Sequence, residues 1–145
     1  MLHTIRQLVG DDARWRSILR GLNETFRHDI VTGAQVREYM SRESGLDLDP
    51  VFRQYLETTE VPTLEYEISG GELRHRWVDV VPGFTMPVEV RTAPERCVTI
   101  RPTAEWQSVS FAALDPEAFG VDRDYYVGVR TVGRDTRPPR ADCSI

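Results

Sequence analysis

Lysine is absent from this chain of 145 residues, and all 18 basic residues are arginine. Without lysine, a Walker A phosphate loop, a pyridoxal or aldolase Schiff base and a kinase-type phosphate lysine are excluded. Asparagine is almost absent as well, since it occurs only at Asn23. Because the codons of both residues are rich in adenine, we interpret the two shortages as the composition of a GC-rich genome.

The chain also lacks an excess of positive charge and a long apolar run. Its net charge of −5 and isoelectric point near 5.2 argue against nucleic-acid binding, because non-specific affinity for nucleic acid comes from positive charge. No apolar run approaches the roughly 20 residues that cross a bilayer, and the N-terminal stretch lacks the regions of a signal peptide. We therefore expect no nucleic-acid partner and no membrane partner, and the compartment stays open.

Cysteine is scarce. Cys97 and Cys143 lie far apart without a C-x-x-C spacing, so we predict neither a disulfide framework nor a zinc site. Cys143 falls in the last stretch, residues 133–145, whose Arg, Asp and Pro content predicts a disordered tail.

Residues 1–60 show the spacing of amphipathic helices. Four helices are predicted, with boundaries marked by Gly10, Asp11 or Asp12, a Thr32/Gln35 capping box, Gly45 and Asp49-Pro50. In the fourth helix, four residues are predicted to face inward: Val51, Phe52, Tyr55 and Leu56.

Residues 61–132 show the alternation of β-strands instead. A turn at Gly70-Gly71 predicts a hairpin whose apolar face pairs Ile68 with Leu73, Tyr66 with His75 and Leu64 with Trp77. Its other face would pair Glu67 with Arg74 and Glu65 with Arg76. Four further strands are predicted at Met86–Arg91, Cys97–Arg101, Trp106–Phe111 and Tyr125–Arg130. The predicted fold is therefore α+β, with an N-terminal four-helix segment followed by a small antiparallel β-sandwich.

The search for chemistry finds little. His3, His28 and His75 have no second histidine one helical turn away, and no H-E-x-x-H, G-x-S-x-G or G-x-G-x-x-G motif occurs. Asp47 and Asp49 are interpreted as caps of the fourth helix rather than as cation ligands. From the residues alone we predict no catalytic, metal-binding or cofactor-binding residue in this chain.

The tryptophans leave one alternative open. Core packing is the favoured interpretation of Trp15, Trp77 and Trp106, but two of them exposed on one sheet face would form a sugar-stacking platform. That alternative is a freestanding peptide- or glycan-binding sandwich module, with an exposed aromatic cluster that involves Trp106, Tyr125 or Tyr126.

The order of the motifs resembles a known family, the gluzincin aminopeptidases of the M-one peptidase family, which includes aminopeptidase N. The resembling segments, in chain order, are Leu2–Arg6 with Gly10-Asp11 and Trp15, Thr32, Ser44–Leu48, Phe52 with Tyr55-Leu56, Pro62 with Leu64 and Tyr66, Arg76-Trp77 and Phe84–Val88. The last two resemble the β-domain of bacterial members. The resemblance covers most of residues 2–130.

In that family the zinc motif H-E-x-x-H, the distant metal-binding Glu, the G-x-M-E-N loop and the catalytic Tyr lie upstream of these helices, and none occurs here. The resemblance thus implies a non-catalytic C-terminal part of a zinc-dependent metallopeptidase, a hydrolase whose parent removes N-terminal residues from peptides. Zinc and a peptide substrate are implied for the parent only, and this chain alone is expected to be inactive. Its expected partner is the missing catalytic domain, and self-association through an exposed helical patch is a further expectation.

Overall fold

A computed structural model of the chain describes residues 1–132 and 140–143, and these residues form four helices and eight strands. The helices are α1 (Leu2–Val9), α2 (Asp12–Thr25), α3 (Gly33–Ser44) and α4 (Asp49–Glu57). The strands are β1 (Thr63–Ser69), β2 (Glu72–Val78), β3 (Val88–Ala93), β4 (Arg96–Ile100), β5 (Gln107–Ser110), β6 (Gly120–Asp122), β7 (Gly128–Thr131) and β8 (Arg140–Ala141). The predicted α+β class is confirmed. No helix in the described ranges is long and apolar enough to cross a membrane.

The predicted end signals of α1, α2 and α3 are present in the structure. Gly10 and Gly45 take the left-handed conformation after α1 and α3, with φ of 67° and 66°. The Asp11 carboxylate accepts hydrogen bonds from the amides of Ala13 and Arg14 at the start of α2. The capping box of Thr32 and Gln35 is present at the start of α3.

The inward face of α4 differs from the prediction at one position. Leu56 is 56% exposed, whereas Gln54 is fully buried. At about 100° per residue, Leu56 lies roughly 140° around the helix from the buried Val51, while Gln54 lies roughly 60° from it on the other side. The buried face is therefore turned towards Gln54, and the prediction for Leu56 is wrong.

The predicted hairpin register is confirmed. The β1–β2 ladder pairs Ile68 with Leu73, Tyr66 with His75 and Leu64 with Trp77, and it sets Glu65 opposite Arg76. The apolar face is buried in the core, which explains the register: a slip by one residue would turn every apolar side chain outward.

The strands form two sheets of four strands each, where the sequence predicted a small sandwich. Sheet A has the strand order β5-β2-β1-β7, and sheet B has the order β4-β3-β6-β8. Most pairs are antiparallel as predicted, but β1–β7 and β6–β8 are parallel. Two strands were not predicted, because β6 and β8 have 3 and 2 residues, too few to show alternation. The predicted strand at Tyr125–Arg130 begins only at Gly128.

The core is shared between helices and sheets. Its buried members form one hydrophobic cluster that runs from Ile5 in α1 to Val127 before β7. The Tyr66 ring of sheet A lies 4.5 Å from that of Phe119, next to β6 of sheet B. The Trp77 indole N–H donates to the Met86 carbonyl at 3.0 Å, which joins sheet A to the segment before β3.

The structure corrects the predictions made for the two cysteines and for residues 133–145. Cys97 and Cys143 form a disulfide across 46 positions of sequence. Residues 140 and 141 form β8, so the predicted disorder of residues 133–145 is wrong for residues 140–143, while residues 133–139 and 144–145 lie outside the described residues. Spacing along the chain cannot reveal this pairing, because the β3–β6 ladder is what brings the C-terminal segment towards Cys97.

Candidate functional site

The three histidines occupy separate elements. His3 in α1 is half exposed, and its Nε2 lies 3.3 Å from the Asp124 carboxylate, to which Gln7 also donates. His28 lies in the loop after α2, where the Arg27 guanidinium donates to its ring. His75 is buried on the core face of β2, and its Nδ1 has no hydrogen-bond partner among the described residues. Burial lowers the pKa of His75, since desolvation disfavours the charged ring.

One group of side chains brings metal-ligating atoms together. The carboxylates of Glu89 and Asp122 and the Cys143 sulfur lie within 4.8 Å of one another. Glu89 stands opposite Asp122 across the β3–β6 ladder, because Val90 pairs with Val121 in antiparallel register. Burial raises the pKa of Glu89, and the facing Asp122 carboxylate raises it further.

These donors do not fit zinc. The Cys143 sulfur is bonded to Cys97 and supplies no thiolate, the form in which cysteine binds zinc. The Asp122 carboxylate already accepts the amides of Asp124 at 2.7 Å and Cys143 at 3.0 Å. The Asp122 carboxylate therefore helps to hold the C-terminal segment against sheet B. The Asp47 carboxylate accepts the Asp49 amide at 3.2 Å just before α4. The N-cap of α4 is Leu48 and no side chain caps this helix, because Asp49 already lies in its first turn, so the predicted capping by Asp47 and Asp49 is wrong.

The outer face of sheet A carries the predicted ion pairs and one more. Glu65 is 8% exposed and accepts from Arg76 at 2.7 Å, as predicted, and from Arg130 of β7 at 3.0 Å, which was not predicted. Although burial raises the pKa of Glu65, its bonds to the two arginines hold that pKa below the ordinary value. The parallel pairing of β1 with β7 is what places Arg130 beside Glu65.

The tryptophans follow the core interpretation in two cases out of three. Trp15 and Trp77 are buried. Trp106 is half-buried, and the guanidinium groups of Arg74 and Arg76 each lie 4.5 Å from its ring centroid. Trp106 therefore already stacks on two cations of its own chain.

The helices meet the sandwich at a junction centred on Tyr126. The Tyr126 amide donates to the Thr4 hydroxyl of α1 at 3.1 Å, and its carbonyl accepts from the Tyr55 hydroxyl of α4 at 2.6 Å. Burial raises the pKa of Tyr55, so its hydroxyl remains a donor at neutral pH. A cavity of about 460 Å³ opens beside the junction, lined by His3, Asp124 and Arg140 among others.

A second bridge between helices and sheets is the buried Gln54. Its side-chain nitrogen donates to the carbonyls of Glu60 at 2.9 Å and Asp79 at 3.0 Å, and its oxygen accepts the Val81 amide at 2.7 Å. Sequence reasoning missed both Gln54 and Arg140. A glutamine on the inner side of an amphipathic helix was the available signal for Gln54, whereas Arg140 gave none.

Comparison with known proteins places this fold beside a peptidase. No protein-family model and no curated protein matches the chain in sequence. Among solved structures, aminopeptidase A of Legionella pneumophila, crystallised with aspartic acid, matches with a TM-score of 0.61 and 14% sequence identity. The match covers 93% of this chain and 17% of that chain, so this chain spans about a sixth of the length of its structural neighbour. The fold thus resembles one part of an aminopeptidase.

Proposed function

We propose that this chain is a non-catalytic C-terminal part of a zinc-dependent aminopeptidase of the M-one peptidase family. The observation that carries the proposal is the structural match to Legionella aminopeptidase A over 93% of this chain. The order of the sequence motifs from Leu2 to Val88 supports the same family. The parent enzyme would remove N-terminal residues from peptides.

The chain's own residues have a supporting role in this proposal. In the parent, zinc bound elsewhere would polarise the scissile carbonyl and activate water. Here the contacts of Gln54 and Tyr126 fix the helices against the sandwich, so the helices present one rigid surface to the rest of the enzyme. No step of the reaction is assigned to these residues.

The proposed partner is the catalytic domain, docked on the helical segment. Four large apolar side chains of that segment are exposed: Leu2, Ile30, Val31 and Leu56. Val31 also borders an open groove lined by Leu22, Phe26 and Val36. Exposed apolar groups on this scale suit a protein contact, and self-association of the isolated chain would use the same groups.

The alternative, a freestanding peptide- or glycan-binding module, needs an open aromatic platform. Of the three aromatic residues that it named, Trp106 is stacked on by two arginines and Tyr125 is buried, whereas Tyr126 is 59% exposed. A single exposed ring offers little area for stacking, so we favour the peptidase proposal.

Zinc loading tests the non-catalytic part of the proposal. The chain is incubated with excess zinc and dialysed, and its metal content and its turnover of aminoacyl chromogenic substrates are measured. We expect far less than one zinc per chain and no hydrolysis above the buffer rate. One tightly held equivalent of zinc, or measurable turnover, would overturn this part.

The proposed family and partner are tested with the DNA sequence upstream of this coding region. We expect the DNA that precedes this coding region to encode, in frame, H-E-x-x-H followed by a distant Glu; a stop codon and promoter there would favour the freestanding module. The region so encoded should bind this chain. Ile30→Arg should weaken that binding at least tenfold, whereas Val132→Arg, an exposed apolar residue of the sandwich, should leave it unchanged. Equal effects of the two variants would contradict docking on the helices.

A further inference from the structure

The C-terminal segment, residues 140–143, is tied to β6 and to the turn that follows it. β8 pairs with β6 in parallel, and the Arg123 amide donates to the Ala141 carbonyl at 3.0 Å. The Cys143 amide donates to Asp122 at 3.0 Å, and Asp142 forms an ion pair with Arg123. The Cys97–Cys143 disulfide is the covalent tie, and it anchors the segment to β4 across sheet B.

The same segment reaches the junction between the helices and the sandwich. The Arg140 guanidinium donates to the Tyr125 carbonyl at 3.0 Å and to the Val127 carbonyl at 2.7 Å. These carbonyls flank Tyr126, whose backbone is bound by Thr4 and Tyr55 of the helices. One side chain of the C-terminal segment therefore stabilises the loop on which two helices are anchored.

We propose that the Cys97–Cys143 disulfide is a redox latch for this junction. When it is closed, β8 is seated and Arg140 holds residues 125–127 against α1 and α4. When it is open, β8 leaves β6 and the loop loosens, while the rest of the fold remains. This inference is independent of the proposed peptidase role.

The short ladder of β8 indicates that its position depends on the disulfide. β8 has only two residues, so its short ladder with β6 offsets little of the conformational entropy that residues 140–143 lose on binding. The disulfide lowers that entropy cost, because it tethers Cys143 to Cys97 of sheet B before β8 pairs with β6. The β1–β2 hairpin, by contrast, is closed by its own turn and needs no covalent tie.

The reaction that opens the latch is thiol–disulfide exchange. A dithiol reductant transfers two electrons and two protons, the S–S bond breaks, Cys97 and Cys143 become thiols, and the reductant closes its own disulfide. Both cysteines are only partly buried, so the disulfide is not enclosed in the hydrophobic core.

Hydrogen exchange of single amides, measured by NMR on the full chain, tests the latch. On reduction with dithiothreitol, the amides of Arg123 and Tyr126 should exchange at least tenfold faster. The Trp77 amide, which donates to Thr103, should change less than twofold. Rates at Arg123 and Tyr126 that stay within twofold, or an equal acceleration at Trp77, would overturn the proposal.

Two variants separate the parts of the latch. The double variant Cys97→Ser/Cys143→Ser should show the fast exchange without reductant and should not respond to dithiothreitol. Arg140→Gln, with the disulfide closed, should accelerate exchange at Tyr126 but leave Arg123 within twofold. A double variant that exchanges like the oxidised protein, or that still responds to reductant, would contradict the latch, as would an Arg140→Gln variant unchanged at Tyr126.

Discussion

The two sheets differ in the length of the ladders that attach their outer strands. In sheet A, β1 and β2 have 7 residues each, pair along their whole length and are joined by the Gly70-Gly71 turn. In sheet B, the β3–β6 ladder registers two pairs, Val90 with Val121 and Arg91 with Gly120, and β8 follows β6 after a gap in sequence. Each sheet has one hairpin, β1–β2 in sheet A and β3–β4 in sheet B. The remaining strands of sheet A join through four registered pairs each, whereas those of sheet B join through two.

This difference indicates which interactions stabilise each sheet. Closing a hairpin over a short turn costs little loop entropy, so side-chain pairs across the ladder are enough to fix its register. The short strands of sheet B depend on the shared core, on backbone hydrogen bonds at the junction and on the disulfide. Four measurements test this contrast.

The largest effect is expected from the shared core. Trp77→Ala in sheet A and Phe119→Ala beside β6 should each lower the free energy of unfolding by about 3–5 kcal/mol, because both side chains are almost fully buried. Chemical denaturation measures both values. If Phe119→Ala costs less than about 1 kcal/mol, sheet B does not belong to one core with sheet A.

A smaller loss is expected where β7 joins β1. A methyl group at Gly128 would collide with the Thr63 side chain, so Gly128→Ala should destabilise the protein by about 1–3 kcal/mol. Gly33→Ala is the matched control, because the space at Gly33 is open and this change should be neutral or stabilise by up to about 1 kcal/mol. Thermal unfolding compares the two, and equal melting temperatures would show that β7 packs loosely on β1.

The ion pairs on the outer face of sheet A should contribute less. Glu65→Gln should lower the free energy of unfolding by about 1–2 kcal/mol at pH 7, because two charged hydrogen bonds are lost. The lowered pKa of Glu65 means that this contribution is present above its ordinary pKa of 4.5 and is lost as the pH falls through the folded value. Denaturation at pH 7 and at acid pH should therefore show a difference that shrinks on acidification; a constant difference would contradict the charge effect.

The smallest effect concerns His75 on the core face of sheet A. Its folded pKa lies below the ordinary 6.5, so the unfolded chain binds the proton more readily, and stability falls as the pH drops below 6.5. The loss from this group is at most about 1.4 kcal/mol per pH unit. His75→Leu should flatten the dependence of the unfolding free energy on pH between 7 and 5.5. An unchanged slope would show that His75 is not the group responsible.

Some of the candidate site was accessible to sequence reasoning and some was not. The pairs of Glu65 with Arg76 and of Tyr66 with His75 follow from alternation and a two-residue turn, so they could be predicted. Arg130 could not, because it reaches Glu65 only through a parallel pair between strands more than sixty residues apart. Arg140 and Asp122 contact backbone groups, and a backbone group leaves no mark in the sequence.

By itself, the sequence determined most of the helix boundaries, the hairpin register and the α+β class, because caps, turns and hydrophobic periods act over a few residues. The tertiary structure alone decided the inward turn of Gln54, the order of the strands in sheet B and the disulfide between Cys97 and Cys143. These features join residues far apart in the chain, and they depend on the packing of complete elements against one core.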